Sequence, residues 1–291
     1  MNYAKREEMW GYIFVTPFLV LFLVFVLVPT VMSVVMAALE WYDRKPVWVG
    51  LDNIDHVLND QRFWQSVRNT LSYVGMFTFT AVALALAVAI RITKFRSQGM
   101  RQGLQSAFYL PSVVSLVAVA VVWRYIFNNQ FGLINYLLSV VGIDPVNWLG
   151  NPQTAMPSLV FMDLVTGLGV GIIIFVAAVL GLPSELFDAA HIDGATGWLE
   201  TIYITIPLLT PSILYVAVTT TIVAMQLFVS VFFLTKGGPV GSTLTLAFLT
   251  YRYAFVFLKV GYASAVGLAL LLLTLALAVV LFRWFRSVVE Y

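Results

Sequence analysis

The sequence predicts an all-α membrane protein with six transmembrane helices, on three observations. Of 291 residues, 61% are hydrophobic and only 10% charged, whereas soluble domains carry about 25% charged residues. Six stretches stay apolar over the roughly 20 residues that a helix needs to cross a bilayer. The period-2 alternation of a membrane barrel is absent. Backbone N–H and C=O groups find no partners in lipid, so each stretch must be helical.

The first span covers 12–39. It follows Lys5 and Arg6, but it outruns the about 7–15 residues of a signal-peptide core and is expected to be retained. The next loop mixes Glu40, Asp43, Asp52, Asp55 and Asp60 with Arg44, Lys45 and Arg62. Within it, 52–69 has the pattern of a short surface helix with Val57, Leu58 and Phe63 on one side. Spans two (71–90) and three (107–127) flank a short loop holding Arg91, Lys94, Arg96 and Arg101 and no acid. The stretch 128–157 is punctuated by Gly132, Gly142, Pro145, Gly150, Pro152 and Pro157, and reads as a turn-rich connection. Span four (158–180) carries Gly167, Gly169 and Gly171, small residues that let helices pack closely. A polar loop over 181–207 leads to span five (208–234), which ends at Gly237-Gly238-Pro239. Span six covers 261–282. One membrane domain is expected over the whole chain.

Orientation rests on where bases concentrate beside span ends in short segments. The loop after span two and both tails, with Arg283 and Arg286 in the second, favour cytoplasmic N- and C-termini. Arg68, Arg124, Lys236, Arg252 and Lys259 then fall outside with Arg44, Lys45 and Arg62. The loop 181–207, which lacks Lys and Arg, falls inside. An acidic inner loop suits a basic partner. The net charge of +2 does not argue for nucleic acid, and the absence of cysteine excludes disulfides and thiolate sites. His56 and His191 lie in different loops without ligand spacing, so no metal site is expected.

The inner loop is a helix-prone island, Glu185-Leu186-Phe187-Asp188-Ala189-Ala190-His191-Ile192-Asp193-Gly194, followed by Ile204-Thr205-Ile206-Pro207. Ser184 is the expected cap. Glu185 and Asp188 are expected in the first turn, where negative charge suits the helix dipole. Gly194 ends the helix and permits a corner. Residues 198–206 are amphipathic, and Pro207 marks entry into span five.

This island resembles the E-A-A loop of ABC-transporter permeases, with Asp188-Ala189-Ala190 in the E-A-A place, Gly194 on the glycine, and Ile204 and Pro207 on the closing signature. The chain also resembles the sugar-permease branch of maltose-transporter type nearly end to end: Trp10-Gly11-Tyr12 with Pro17; Gly50-Leu51-Asp52-Asn53; 63–71; Leu110-Pro111 with Ser115 and Trp123; 234–239; Tyr251 and Phe255; and 261–265. Asp188 stands one methylene shorter than the motif's glutamate, and Ile206 replaces its leucine at little change in volume.

The resemblance implies a type I importer permease whose inner loop is a cytoplasmic coupling helix. Glu185, Asp188, Ala189, Ala190, Asp193, Gly194 and Pro207 would couple to an ATPase, with Asp188 facing its arginine. The implied partners are a second permease subunit, two copies of the ATPase, an extracytoplasmic solute-binding protein and the bacterial inner membrane. No G-x-x-x-x-G-K-[ST] loop is present, so ATP and Mg are expected on the ATPase, and this chain is expected to bind no cofactor.

Polar groups inside spans are costly and suggest a substrate path. Asp163, Gln226 and Ser230 are candidates, with Asp163 also fitting a structural tie to a neighbouring span. Tyr73, Trp123 and Tyr215 would stack on a sugar ring or serve as packing and interfacial residues. Arg124 would line the pore or reach the outer surface. The expected function is part of the translocation path for a sugar or oligosaccharide. The alternatives are a glycerol-3-phosphate permease, for which bases in the pore are few, and an ion-coupled secondary transporter, for which no internal repeat is visible.

Overall fold

A computed structural model describes residues 3–42 and 45–286. Asp43 and Arg44 of the first loop lie outside them. The chain forms two compact units, one of residues up to Phe63 together with Leu249–Ala269, the other of Trp64–Phe248 with the remainder.

In the first unit, α1 (Tyr3–Phe22) runs through a π-turn, Leu23–Leu27, into α2 (Val28–Ala37). Together these make the first span, and its apolar side chains, among them Phe14, Phe18 and Phe25, are exposed as a lipid-facing helix requires. The sequence did not indicate the antiparallel hairpin that follows, β1 (Leu39–Tyr42) and β2 (Lys45–Trp48). Next is α3 (Asp52–Asn59). Its buried Asn53 donates to the carbonyls of Ala37 and Leu39, both at 3.0 Å, and so satisfies carbonyls at the C-terminal end of α2. The expected apolar side of this segment holds for Val57 and Phe63, which are buried. Leu58 is half-exposed, because the chain breaks at Asp60 and the two helices do not share one face. Asp60 accepts the Arg62 amide at 2.8 Å and so starts the next helix, and it also accepts the hydroxyls of Tyr262 (2.6 Å) and Tyr253 (3.2 Å). Burial, and then the adjacent Asp60 charge, raise the Tyr253 phenol above its ordinary pKa.

The second unit holds most of α4 (Gln61–Thr93), followed by α5 (Gln98–Val113) and α6 (Leu116–Ile126). The expected span over 107–127 is a bent pair, with α5 and α6 meeting at 92°. Pro111 removes a backbone donor from the last turn of α5, and Val114 and Ser115 turn extended. Helix α5 also begins earlier, where Ser97 caps the Met100 amide. The turn-rich connection contains α7 (Leu133–Val140), whose buried Asn135 accepts from the Val146 amide and the Trp148 indole.

Helix α8 (Pro152–Leu180) is the centre of this unit. Asn151 caps it and Pro152 takes the first turn, where a missing N–H costs nothing. Leu159, Met162, Ile172 and Phe175 are fully buried. The sequence placed close packing at its glycines, and Gly169 shows the tightest approach. A Cβ there would lie 2.6 Å from the Phe108 carbonyl oxygen and from the Tyr109 Cα, both backbone atoms of α5. Gly169→Ala should therefore destabilise the protein by about 1–3 kcal/mol, since backbone cannot yield as a side-chain tip does. An unchanged melting temperature in detergent would show that α5 and α8 can separate freely.

The loop 181–207, described below, holds α9 (Ser184–Ile192), α10 (Trp198–Glu200), a π-turn and the start of α11 (Ile206–Leu208), and α12 (Thr210–Met225) follows. The expected fifth span is again not one straight helix. The stretch Trp198–Leu208 meets α12 at 69°, between Pro207 and Pro211, and α12 stops at Met225. The chain then leaves helix at 226–228 before the π-turn Val231–Thr235. A broken helix is tolerated at membrane depth only if its freed backbone groups find partners. Here Thr245 donates to the Leu227 carbonyl at 2.8 Å.

The Gly-Gly-Pro block forms a tight loop gripped by α4. Asn69 donates to the carbonyls of Gly241 (2.7 Å) and Leu244 (3.0 Å), Gln65 donates to that of Val240, and Thr70 accepts the Leu246 amide. Gly237 and Gly241 take positive φ there, +82° and +75°, which side-chain-bearing residues adopt at a cost. A short helix, α13 (Leu246–Tyr251), and a π-turn precede α14 (Val260–Arg286), which is the sixth span. Four described helices are long and apolar enough to cross a membrane, and the two bent pairs bring the count to six.

Candidate functional site

The second unit carries two features that bear on function. The first is a cavity of about 440 Å³ lined by α4, the α5–α6 bend, α8, the end of α12 and the break after it. Asp163 projects from α8 at its wall and is 8% exposed. It accepts the Tyr73 hydroxyl of α4 at 2.7 Å and the Ser230 hydroxyl at 2.8 and 3.1 Å. One carboxylate thus joins three segments, and its desolvation is offset by two hydroxyl donors. Tyr73 is 2% exposed and stacks on Phe77 at 5.4 Å, so its ring is occupied by packing.

Gln226 also lines the cavity, at the C-terminus of α12, and is exposed there. Of the six candidate path residues, Tyr73, Asp163, Gln226 and Ser230 are brought together. Trp123 and Tyr215 are not among the lining. Trp123 packs edge-on against Phe161 at 5.5 Å, and Tyr215 is 59% exposed on α12. Arg124 is exposed near the end of α6, away from the cavity lining. Two polar wall residues were missed, Thr166 and Ser112. Thr166 lies three residues after Asp163, a spacing that shares a helix face and was readable. Ser112 reaches the wall only because the chain bends just beyond it.

The second feature is the loop 181–207. Helix α9 starts at Ser184 with Pro183 as its cap residue, and no side chain caps it. Ser184 is therefore the first helical residue rather than the cap, and Glu185 alone is acidic in the first turn, with Asp188 one turn on. Proline's fixed φ sets the entry, and a serine hydroxyl inside the helix no longer faces the free amides. Ala190 is buried, whereas Glu185, Asp188, Ala189 and Asp193 are exposed. Gly194, at φ +78°, closes the helix, and the Ala195 amide returns to the Ala190 carbonyl at 2.8 Å. His191 and Glu200 face each other at 3.2 Å and tie α9 to α10. The outer face of α9, with Ile192 at 87% exposure, has no cover among the described residues. Pro207 sits in the first turn of α11, just before the bend into α12.

Helices long and apolar enough to cross a membrane, around a largely apolar cavity with a few polar groups in its wall, define a multi-pass membrane protein. Comparison with known proteins places it further. Residues 81–290 match the family described as binding-protein-dependent transport system inner membrane component. The probable ABC transporter permease protein YesP of Bacillus subtilis is 34% identical over 258 residues, 86% of this chain and 82% of that protein. The trehalose/maltose transport system permease protein MalF of Thermococcus litoralis is 31% identical over 254 residues, 85% and 84% of the two chains. In fold, the chain is similar to a subunit of a solved bacterial ABC transporter involved in import of the acidic polysaccharide alginate, with a TM-score of 0.85, 23% identity and 98% of both chains covered. This chain belongs to the binding-protein-dependent transport system inner membrane components. It is a multi-pass permease subunit of an ABC importer.

Proposed function

We propose that the chain forms half of the translocation path for a neutral sugar or oligosaccharide. The observation that carries this is the cavity wall. It offers Gln226, Ser112, Thr166 and a single carboxylate already held by two hydroxyls, and it includes no Lys or Arg. An amide and hydroxyls suit sugar hydroxyls as both donors and acceptors. A phosphorylated or acidic substrate would instead call for cations there, which weighs against a glycerol-3-phosphate permease. The trehalose/maltose system is one relative whose substrates fit this chemistry.

In this proposal a second permease subunit completes the cavity, and an extracytoplasmic binding protein delivers sugar to its outer mouth. Both termini and α9 lie in the cytoplasm. Two ATPase copies hold ATP and Mg, so this chain needs no nucleotide site or cofactor of its own. ATPase closure moves α9, and Glu185, Asp188, Ala189, Ala190, Asp193 and Gly194 form the contact, with Pro207 passing the motion into α12. Sugar occupancy and ATP turnover are then reciprocally linked.

The test is uptake by the reconstituted complex. With the binding protein present, proteoliposomes should accumulate a labelled neutral oligosaccharide only when the ATPase subunits and internal ATP are supplied. Uptake that persists without the ATPase would sink the proposal in favour of an ion-driven carrier.

A further inference from the structure

On the side of the second unit that carries the inner loop, a separate apolar groove of about 610 Å³ runs between the C-terminal half of α4 and the 197–206 segment. Ala87 and Ile90 form one wall, Trp198 and Ile206 the other, and Arg91 and Lys94 stand at the end of the α4 wall. Neither base forms an ion pair or side-chain hydrogen bond among the described residues, and no acid lines the groove. The nearest acid in the facing segment, Glu200, is engaged with His191. The sequence around the bases deepens the asymmetry, since no Asp or Glu occurs between Asp60 and Asp144. A cation at a helix C-terminus is ordinary. Two unpaired cations at the end of an apolar, uncovered groove are the pattern of a headgroup above an acyl chain. Trp198, 73% exposed, supplies the amphipathic ring that prefers the headgroup level.

We propose that this groove binds an anionic phospholipid, its acyl chain along Ala87 and Ile90 and its phosphate between Arg91 and Lys94. The volume lies within the about 300–1,000 Å³ of ordinary ligand sites. The site adjoins the elbow by which α9 is joined to α12, so a bound lipid would brace the segment that transmits movement.

The complete importer complex would be equilibrated with equal amounts of phosphatidylglycerol and phosphatidylcholine, and retained lipid counted by native mass spectrometry. The unaltered complex should retain phosphatidylglycerol preferentially. Arg91→Gln with Lys94→Gln should lower that retention roughly 30-fold, at about 1 kcal/mol for each basic group near the surface. Lys94→Arg should keep it. Equal retention of both lipids, or undiminished phosphatidylglycerol in the double variant, would overturn the proposal. The chain has no native cysteine, so Ala87→Cys can carry a photo-crosslinker. A lipid adduct supports the site, and an adduct with the second permease subunit overturns it, because the groove would then be a subunit interface.

Discussion

Asp188→Lys is expected to abolish ATP-driven uptake while leaving the complex's helices folded. The side chain is exposed on α9 and makes no ion pair within the described residues. Surface substitutions of that kind shift stability by only about 0.5 kcal/mol. On the proposed coupling, the effect would then arise at the contact with the ATPase. Truncating one partner of an interfacial charge pair costs about 2–5 kcal/mol, and reversal adds repulsion. Uptake should fall by about 100-fold or more, with the melting temperature of the purified subunit almost unchanged. Asp188→Glu, which restores the motif's longer side chain, should retain activity. The measurement is initial uptake rate beside a melting curve. Normal uptake by the lysine variant would remove α9 from the coupling path.

The second large effect is expected at Asp163. Asp163→Ala leaves the Tyr73 and Ser230 hydroxyls buried without their acceptor, each being at most 2% exposed. An unpartnered buried polar group costs about 1–3 kcal/mol. The pair should cost about 2–6 kcal/mol, and α4, α8 and the segment after α12 lose their common tie. Asp163→Asn keeps one oxygen and the volume, so a smaller loss is expected, and Ser230→Ala should cost about 1 kcal/mol. Thermal unfolding in detergent checks the order alanine, asparagine, serine variant. An Asp163→Ala protein as stable as the unaltered one would mean that water replaces the tie, and that the carboxylate is free to face substrate.

Much of this was legible along the chain because it depends on local composition. A run of apolar residues must be helical in lipid whatever surrounds it. The place of α9, its closure at Gly194 and the exposure of Asp188 follow from short-range capping and periodicity. The same holds for the basic loop after α4. Fine capping was less legible: Ser184 competes with Pro183 for the same role one residue apart, and only the backbone at Pro183 decides between them.

The bends belong to the other category. Pro111, Pro207 and Pro211 mark sites where a helix loses a donor, but proline within a span is compatible with either a kink or a full turn of 92°. Which occurs depends on partners that arrive from elsewhere. The break after Met225 depends on Thr245 capping Leu227, and the cavity wall on Tyr73 reaching Asp163 across 90 residues of sequence. The residues of the 63–71 motif likewise gain their meaning only in space, where Gln65, Asn69 and Thr70 hold a loop some 175 residues away. Span number, membrane class and the place of α9 were therefore set by the chain's own apolar runs and caps. The cavity, the bends that shape it and the separation of Trp123 and Tyr215 from it were set by tertiary packing, because buried polar groups must find partners and those partners are distant in sequence.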